Sequence, residues 1–330
     1  MKAIVVEQPG GIEALELREV DDPQPDPGEV LINIAYSACN WMDTQKRRGV
    51  YPDKSITYPH ILGSEVAGYI AALGAGVENF KVGDKVAAII RNGGYAEKCV
   101  AHSTTTMKLP EDMDLKLGAC FQIVGLTGYH LLFSAHRLEP GDTILVHAIG
   151  GAVGLIVTQI AGEAGARVIG TVSSHGKGDT ALALGADRII VRSEEDFVQA
   201  ALEFTEGSGV DLVIDSLGGD TGFRSHEALR HYGRLINIGE TEDWPREQGL
   251  RDKLYERSTS FAGFETMAAI PGSARWQAGV DFIVPRVTDG RIQLPIAGTY
   301  SLEEVRQMHS NLETRAVSGK LVLSSGLDKA

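Results

Sequence analysis

The chain has 330 residues, of which 43% are hydrophobic and 23% charged, so it is long enough for about two globular domains. Its formal net charge of −13 argues against a nucleic-acid partner and against docking on an anionic membrane, since both need a basic face. No apolar run approaches the ~18 residues of a membrane span, and three widely spaced cysteines without a signal-peptide pattern favour a cytoplasmic protein with free thiols.

Short strands joined by turns are predicted from residue 1 to about 120. Apolar segments at 30–36, 66–72 and 85–90 are each bounded by glycines or by a turn rich in Pro and Asp. Such a composition is typical of an antiparallel, barrel-like β domain.

The pattern changes near residue 120, where strands begin to alternate with helices. Continuous apolar runs of this kind are typical of parallel strands covered on both faces. The predicted strands cover 143–148, 167–172, 188–191, 210–215 and 234–239, and the predicted helices cover 153–164, a segment ending near 184, 195–203 and 221–229. Five such alternations imply a parallel sheet with right-handed crossovers.

The alternation stops before a third block, which begins at about residue 264. A helix is predicted at 274–288, and Pro285 inside it should cause a kink or an early stop. Ser301 and Glu304 form a capping-box pattern that opens a second helix, and 320–323 is a final strand.

The three blocks indicate two domains. A single alternating block lies between two blocks that do not alternate, which is the pattern of an insertion. We therefore assign 122–263 to an α/β domain inserted into a second domain made of 1–121 and 264–330.

A glycine-rich turn links the first strand of the alternating block to its helix. It runs from Ala148 to Gly154 with the spacing A-x-x-G-x-x-G, a variant of the dinucleotide-binding fingerprint. Gly151 would let a pyrophosphate approach the backbone, Gly154 would let the helix pack on the strand, and the amides of Ala152 and Val153 at the helix N-terminus favour phosphate. The alternative is a turn that only packs a helix on a sheet, but the strand, the helix and four further βα units supply the context that binding requires.

The end of the second strand of this block predicts which dinucleotide binds. NAD enzymes usually place Asp or Glu there, whereas this chain has Ser173 and Ser174, with Lys177 just beyond. Hydroxyls and a cation suit a 2′-phosphate, and Arg192, after the third strand, is a further candidate. The alternative is that both cations are solvated surface charges; together with the missing carboxylate they predict NADP(H).

Several short segments carry a resemblance that covers nearly the whole chain. They are Gly-Ser-Glu-Val-Ala-Gly at 63–68, Val-Gly-Asp-Lys-Val at 82–86, Gly-Gly-Tyr-Ala-Glu at 93–97, Gly-Leu-Thr at 125–127, Leu-Gly-Ala-Asp at 184–187 and Ser-Gly-Lys-Leu-Val-Leu at 318–323. The chain resembles the medium-chain dehydrogenase/reductase superfamily and, within it, is similar to the zinc-free quinone oxidoreductases of the zeta-crystallin-like branch. The resemblance implies a GroES-like β-barrel catalytic domain, a Rossmann domain with a doubly wound parallel sheet and, usually, a homodimer.

The comparison with this superfamily predicts that the chain has no metal site. Its zinc-dependent members have Cys where Asn40 stands and His where Ser64 stands, and neither side chain here is a good zinc ligand. Cys39 is one residue early, on a strand neighbour that points to the other face. The four-cysteine structural-zinc lobe is also absent, since Cys99 is alone in its region.

Without a Lewis acid, electron-poor acceptors are the easier substrates, because a quinone or an α,β-unsaturated carbonyl accepts hydride directly. Asn40 and Asp43 match the Asn-x-x-Asp segment of the family, and we expect Asn40 to donate to the acceptor oxygen. Tyr51 is a candidate to hydrogen-bond or protonate the product. A turn-capping role is the alternative for Asn40, and for Asp43 capping or pairing with Arg47 is the favoured role. Gln45 stands where some quinone reductases have Tyr, and a glutamine side chain cannot act as a general acid in its place.

The resemblance also implies contacts to the nicotinamide end of the cofactor. The residues carried over are Thr127, Gly239, Gly263 and Phe264. Trp244, Tyr255 and Phe264 are candidates for the walls of a substrate pocket, which the sequence does not define further.

Three functions are compatible with these features. The leading one is an NADPH-dependent, zinc-independent reductase of a small electrophile, either a quinone or an activated enone. An enoyl-thioester reductase would need a basic patch, for which Lys46, Arg47 and Arg48 are candidates, although a solvated run is the commoner explanation. A non-catalytic NADPH-binding structural or sensor protein is the third. Residues 260–270 are a candidate edge strand for pairing with a second copy.

Overall fold

The computed structural model describes residues 1–239, 249–314 and 317–327. Backbone contacts divide the chain into two compact units. The first unit comprises Met1–Ile123 and Leu294–Ala330, and the second comprises Val124–Gln293. The predicted pocket residue Trp244 lies outside the described residues.

The secondary structure follows the predicted order of elements. The strands are β1 Lys2–Val6, β2 Glu16–Glu19, β3 Glu29–Cys39, β4 His60–Ile61, β5 Glu65–Leu73, β6 Lys85–Ile89, β7 Lys98–His102, β8 Thr106–Lys108, β9 Thr143–His147, β10 Arg167–Val172, β11 Arg188–Val191, β12 Val210–Asp215, β13 Leu229–Asn237, β14 Ser260–Gly263, β15 Ile296–Ser301 and β16 Lys320–Ser324. The helices are α1 Trp41–Arg48, α2 Leu115–Cys120, α3 Gln122–Tyr129, α4 Ala152–Glu163, α5 Asp179–Ala183, α6 Phe197–Phe204, α7 Gly219–Ala228, α8 Leu250–Glu256, α9 Ala274–Thr288 and α10 Val305–Glu313. None of these helices is both long and apolar enough to cross a membrane.

The first unit is built on two sheets. Seven strands form one sheet along the path β15-β16-β3-β5-β6-β8, with β7 also paired to β3, and β2-β1-β4 form the other. Most pairs are antiparallel, as predicted, but β15 and β16 run parallel because α10 forms a crossover between them. Within the described residues no pair closes the longer sheet into a ring, so the unit is barrel-like rather than a closed barrel.

The second unit contains a six-stranded sheet in the order β11-β10-β9-β12-β13-β14. All of its strand pairs are parallel, which confirms the predicted βα alternation. The chain order reverses between β9 and β12, the point at which doubly wound sheets bind ligands beyond the carboxyl ends of their strands. Helices cover both faces of such a sheet, and β9 accordingly has no exposed residue.

Helix α9 belongs with this sheet rather than with the first unit. Ile283 packs so closely on α3 that a Cβ at Gly125 would lie 2.6 Å from it. Arg286 of α9 also pairs with Glu163 of α4 at 2.9 Å. The chain therefore returns to the first unit at Leu294, later than the start of the third block predicted from the sequence.

Two predictions about helix ends can be compared with the structure. α9 continues through Pro285 to Thr288, so the proline causes no early stop. The capping box at Ser301 is confirmed, since its N–H donates to the Glu304 carboxylate at 2.8 Å. That box opens a 3-10 turn, which leads directly into α10.

All three cysteines lie in the core as free thiols. Cys39, Cys99 and Cys120 are buried, and burial is the first cause that raises the pKa of each to about 12. Because the thiolate is the reactive form, these side chains act as small apolar groups near neutral pH.

Candidate active site

The glycine-rich turn lies where β9 enters α4. Ala148 has a φ of 52°, in the left-handed region that residues with a Cβ rarely adopt, and its carbonyl accepts the N–H of Gly151 at 2.9 Å. A Cβ at Gly154 would lie 2.4 Å from the carbonyl oxygen of Ile149. The missing side chain at Gly154 is therefore what allows α4 to pack directly on the end of the strand.

The N-terminus of α4 has the form of a phosphate site. Gly151 is the residue before the helix, and a glycine has no side chain with which to cap the helix. The first amides of the helix, from Ala152 and Val153, lack a carbonyl partner four residues earlier within it. Their N–H dipoles favour an anion, so the turn and the helix bring together all the residues predicted for the pyrophosphate.

A buried histidine that the sequence analysis did not single out lies below this turn. His147 ends β9, and its ring nitrogens are 2.9 Å from Thr171 Oγ1 and 2.8 Å from Ser225 Oγ. Burial, followed by the charge of Arg192, lowers the pKa of His147 to about 3. The neutral imidazole thus ties three elements of the sheet and its helices together under the turn.

The residues predicted for the 2′-phosphate follow β10 and β11. Ser173 and Ser174 are exposed, and Lys177 Nζ donates to Ser173 Oγ at 3.1 Å. Arg192 is half-buried and donates to Thr221 Oγ1 of α7 at 3.4 Å. The structure therefore brings Ser173 and Lys177 into contact, whereas the guanidinium of Arg192 is directed toward α7.

The residues carried over for the nicotinamide end lie at the carboxyl ends of β13 and β14. Asn237 pairs with Gly263 in register, and its carbonyl accepts the N–H of Phe264 at 2.9 Å. Its side-chain amide donates to Asp215 at 3.1 Å and to the carbonyl of Gly239 at 3.0 Å. Gly239, Gly263 and Phe264 are thus held around one asparagine, which the sequence analysis did not single out.

Thr127 lies nearby in the same unit. It is buried, and its hydroxyl is 2.6 Å from that of Thr266, which follows β14. Tyr255, a candidate for the pocket wall, is 73% exposed on α8.

Asn40 lies in the first unit, directly before α1. It is 8% exposed, its side-chain nitrogen donates to Glu65 at 3.1 Å, and its side-chain oxygen accepts from Lys320 at 2.8 Å. Glu65 and Lys320 are themselves paired at 2.5 Å, and Glu65 also accepts the N–H of Ile123 at 3.0 Å. Burial is the largest single influence on the pKa of Lys320 and lowers it, but the neighbouring groups, with the Glu65 carboxylate foremost, together shift that pKa upward and so favour the charged ammonium.

The backbone of Asn40 is held by a second buried carboxylate. Asp43 accepts the N–H of Asn40 at 2.9 Å, which caps α1, and accepts the hydroxyl of Ser64 at 2.9 Å. Ser64 in turn accepts from Lys46 Nζ at 2.9 Å, and Lys46 also donates to the carbonyl of Arg91 at 2.7 Å. Burial lowers the pKa of Lys46, a shift that the carboxylate of Asp43 opposes. The predicted capping role of Asp43 is therefore observed.

Tyr51 follows α1 in the loop before β4. The ammonium of Lys46 lies 5.5 Å from the centre of its ring, within the range of a cation–π contact. Tyr51 is half-buried, and its contact with Lys46 places it beside the same buried network as Asn40.

The basic run at 46–48 is not a surface patch. Lys46 is 5% exposed and Arg47 1%, which leaves only Arg48 exposed. Arg47 pairs with Glu313 of α10 at 2.8 Å, not with Asp43, and so holds α1 to the last helix. The run was a candidate patch for a pantetheine phosphate or, alternatively, a solvated face, and burial overturns both interpretations.

The residues of this network do not suit a zinc ion. The positions of the expected ligands hold the amide of Asn40 and the hydroxyl of Ser64, and each bonds a lysine ammonium. Across the part of the chain that the structure describes, no group of three His, Cys, Asp or Glu side chains is placed to hold a metal. Soft or imidazole donors, which zinc prefers, are thus missing at this point.

Comparisons with known proteins define the class to which this fold and site belong. The family model of the alcohol dehydrogenase GroES-like domain matches residues 26–139. The model described as zinc-binding dehydrogenase matches residues 152–284. The chain therefore has the two modules of a dehydrogenase in the order that the sequence predicted.

Relatives that match nearly the whole chain indicate which kind of dehydrogenase or reductase it resembles. A probable quinone oxidoreductase of Schizosaccharomyces pombe is 33% identical over 99% of this chain and 98% of its own length. A 2-haloacrylate reductase of Burkholderia sp. is 30% identical over 97% of this chain and 98% of its own. The solved Escherichia coli quinone oxidoreductase complexed with NADPH has a TM-score of 0.93 and 29% identity, covering 98% of this chain and 100% of that one.

This chain belongs to the medium-chain dehydrogenase/reductase superfamily and is a quinone oxidoreductase-like enzyme. The fold class and the family predicted from the sequence are confirmed. The prediction of NADP(H) agrees with the NADPH present in the Escherichia coli structure.

The sequence analysis gave no role to two residues of the buried network, Glu65 and Lys320, and it placed a third, Lys46, only in a candidate basic patch. A signal for Glu65 and Lys320 was present, since each stands at the start of a largely apolar strand. A charge at such a position indicates a buried pair, but the sequence does not show which partner lies opposite.

Proposed function

We propose that this enzyme is an NADPH-dependent, zinc-independent reductase that transfers a hydride to a quinone or to an activated α,β-unsaturated carbonyl compound. The observation that carries the proposal is the buried network around Asn40 and Ser64. Asn40 accepts from Lys320 and Ser64 accepts from Lys46, so two ammonium groups stand beside the positions where zinc-dependent relatives are expected to have ligands. The carboxylates of the same network, Glu65 and Asp43, are already engaged by Lys320 and by Ser64, so a divalent cation would find no free anionic ligand there.

The choice of acceptor follows from the lack of residues here that could hold a catalytic metal ion. Oxidation of an ordinary alcohol needs its alkoxide, which a metal normally stabilises. A quinone or an activated alkene takes up a hydride and then a proton, and the protein has to position it and stabilise the negative charge on oxygen. A relative named 2-haloacrylate reductase supports an activated alkene as one class of acceptor.

Two residues of the first unit would act on the acceptor. Asn40 would donate a hydrogen bond from its side-chain nitrogen to the acceptor oxygen as negative charge develops there. Tyr51, whose ring lies beside the ammonium of Lys46, would donate the proton to the reduced product. Asp43 would hold Asn40 in place through the backbone, as its hydrogen bond to that N–H supports.

Residues of the second unit would bind NADPH, which supplies the hydride when bound. The glycine turn and the first amides of α4 would hold the pyrophosphate. Ser173 and Lys177, already in contact, would bind the 2′-phosphate, with Ser174 and Arg192 as further ligands. Thr127, Gly239, Gly263 and Phe264 would border the nicotinamide ribose and ring.

The experiment is a measurement of NADPH oxidation with 1,4-benzoquinone, 9,10-phenanthrenequinone and a short enone. It is run with and without a chelator, and with NADH in place of NADPH. We expect turnover that the chelator does not change and that prefers NADPH. Loss of activity in chelator would contradict zinc independence. Binding of NADPH without turnover of any acceptor would favour the non-catalytic alternative.

We further propose that the enzyme is a homodimer formed through β14. This strand lies at the edge of the six-stranded sheet, and within the described residues it pairs only with β13. Phe261 is 37% exposed and Ile270, a few residues later, is 68% exposed. An open edge beside exposed apolar side chains is a surface on which a second copy can add strands.

A further inference from the structure

Three buried side chains from separate parts of the first unit meet behind Asn40. Glu65 begins β5 and Lys320 begins β16, and their side chains are 0% and 2% exposed. Lys320 Nζ lies 2.5 Å from Glu65 Oε1 and 2.8 Å from Asn40 Oδ1, while Asn40 Nδ2 lies 3.1 Å from Glu65 Oε1. The three polar groups form a closed triangle of hydrogen bonds.

The chemistry of the two charged partners decides which way the amide of Asn40 faces. A lysine ammonium only donates hydrogen bonds, and an ionised carboxylate only accepts them. The oxygen of the amide must therefore face Lys320, and its nitrogen must face Glu65. The opposite orientation would set Nδ2 against the ammonium and Oδ1 against the carboxylate, which is repulsive at both contacts.

This orientation leaves a donor available at the place where the proposed reaction needs one. An amide nitrogen carries two hydrogens, and Glu65 is its acceptor among the residues that the structure describes. The second hydrogen of this nitrogen is therefore available to a bound molecule, and Asn40 as a residue is 8% exposed. A reversed amide would present its oxygen there and would repel an oxyanion.

A buried ion pair is weak evidence of a stabilising role, because desolvation offsets much of its attraction. In some proteins such a pair specifies one arrangement of the groups around it, and the group enclosed here is a single amide. The backbone of Asn40 is fixed independently by Asp43, so only the rotation of the side chain remains to be set.

We propose that Glu65 and Lys320 are positioning residues that orient the carboxamide of Asn40, so that its nitrogen and not its oxygen meets the oxygen of the substrate. The inference rests on the proposed function, in which Asn40 donates to a carbonyl or quinone oxygen. Glu65 and Lys320 act through Asn40 and do not touch the substrate.

The experiment is a double-mutant cycle on the full chain. The variants are Glu65→Gln, Asn40→Ala and the two combined, with kcat, KM and NADPH affinity measured for each. The single oxygen of glutamine cannot serve the three donors that Glu65 accepts, from Asn40, Lys320 and Ile123. We expect E65Q to lower kcat roughly tenfold to a hundredfold, as a misplaced catalytic group does, with NADPH affinity unchanged. In the N40A background E65Q should change kcat less than about twofold, because its effect is transmitted through Asn40.

Two further variants separate positioning from folding. Glu313→Gln removes the carboxylate partner of a buried cation, Arg47, in the same unit but does not contact Asn40. It should lower Tm and leave kcat unchanged. If E65Q fails to fold, the variant E65Q/K320M removes both charges together and avoids an unpaired buried ammonium. It should fold, bind NADPH and show the same loss of kcat.

The outcomes distinguish failure of the positioning role from failure of the proposed function. Equal losses of kcat from E65Q in the wild-type and N40A backgrounds would overturn the positioning role and leave the proposed function standing. Turnover by N40A at the wild-type rate would overturn the positioning role as well, because the amide would then have no effect to transmit. Absence of quinone and enone turnover by the unmodified enzyme would overturn the proposed function, and this inference with it.

Discussion

Gly154 shows how a single missing side chain makes the glycine-rich turn possible. The helix proposed to bind phosphate begins close to the strand, and the atom that limits this approach is the carbonyl oxygen of Ile149. A Cβ 2.4 Å from a backbone oxygen cannot be accommodated by a rotamer change, so the backbone itself would have to move. Gly162, later in the same helix, has open space where its Cβ would be.

The variant Gly154→Ala should be destabilised by about 1–3 kcal/mol, the usual cost of overpacking, and should lose affinity for NADPH as α4 moves away from the turn. Gly162→Ala is the matched control, and it should be stabilised by about 0.5–1 kcal/mol with unchanged NADPH affinity because alanine is the better helix former. Urea unfolding and fluorescence titration with NADPH measure the two quantities. Wild-type affinity in G154A would show that the close approach is not needed for binding.

At the scale of elements, β14 has one side paired and one side open. The N–H of Phe264 points toward β13, and by the alternation of a parallel strand the N–H of Ala262 does too, so that of Phe261 points to the open edge. A proline at Phe261 would remove an outward donor and leave the hydrogen bonds to β13 intact. The proposed dimer therefore has a test that does not disturb the sheet itself.

We expect Phe261→Pro to be a monomer and Phe261→Ser, which keeps the N–H, to remain a dimer if backbone pairing holds the two copies together. Size-exclusion chromatography with light scattering gives the mass of each. A monomeric wild-type enzyme would rule out the homodimer. A dimeric F261P would show that another surface forms the interface.

At the scale of the whole molecule, the fold keeps several histidines neutral. Burial is the first cause that lowers the pKa of His147 and His309 to about 3 and that of His226 to about 4. Neither ring nitrogen of His226 has a hydrogen-bond partner among the described residues. These imidazoles lie in both units, so a fall in pH should destabilise both of them.

The stability of the enzyme should therefore fall as the pH drops from 7 to 5. Unfolded histidines, with a pKa near 6.5, take up protons in this window, whereas the folded ones remain neutral until pH 3 to 4. Each such histidine lowers the free energy of unfolding by about 2 kcal/mol at pH 5. His226→Leu should therefore reduce the loss of stability by about that amount. Gly162→Ala, which removes no titrating group, should leave the loss unchanged. Urea unfolding at several pH values measures this loss of stability. If H226L lost as much stability as the wild type, His226 would not be one of the histidines responsible.

Local patterns in the sequence were enough to predict most of the elements of both units. The strands at 167–172, 188–191 and 210–215 end where the apolar runs end, because a parallel strand covered on both faces is apolar along its whole length. The glycine turn was also readable, since a tight approach requires glycine wherever it occurs. The point at which the chain returns to the first unit could not be predicted, because the amphipathic pattern of α9 does not show which unit the helix packs against.

By itself, the sequence determined the βα order and the glycine-rich turn, since each depends on residues that are neighbours in the chain. Its resemblance to the superfamily indicated the lack of zinc-type ligands at Asn40 and Ser64. Only the tertiary structure decided that Lys46 is buried, and that Glu65 and Lys320, some 255 residues apart, enclose the amide of Asn40. The physical reason is that the effect of a charge depends on what lies opposite it. A lysine in a basic run and a lysine at the start of a strand carry the same charge in the sequence. Burial beside a carboxylate or a hydroxyl determines which group that charge binds.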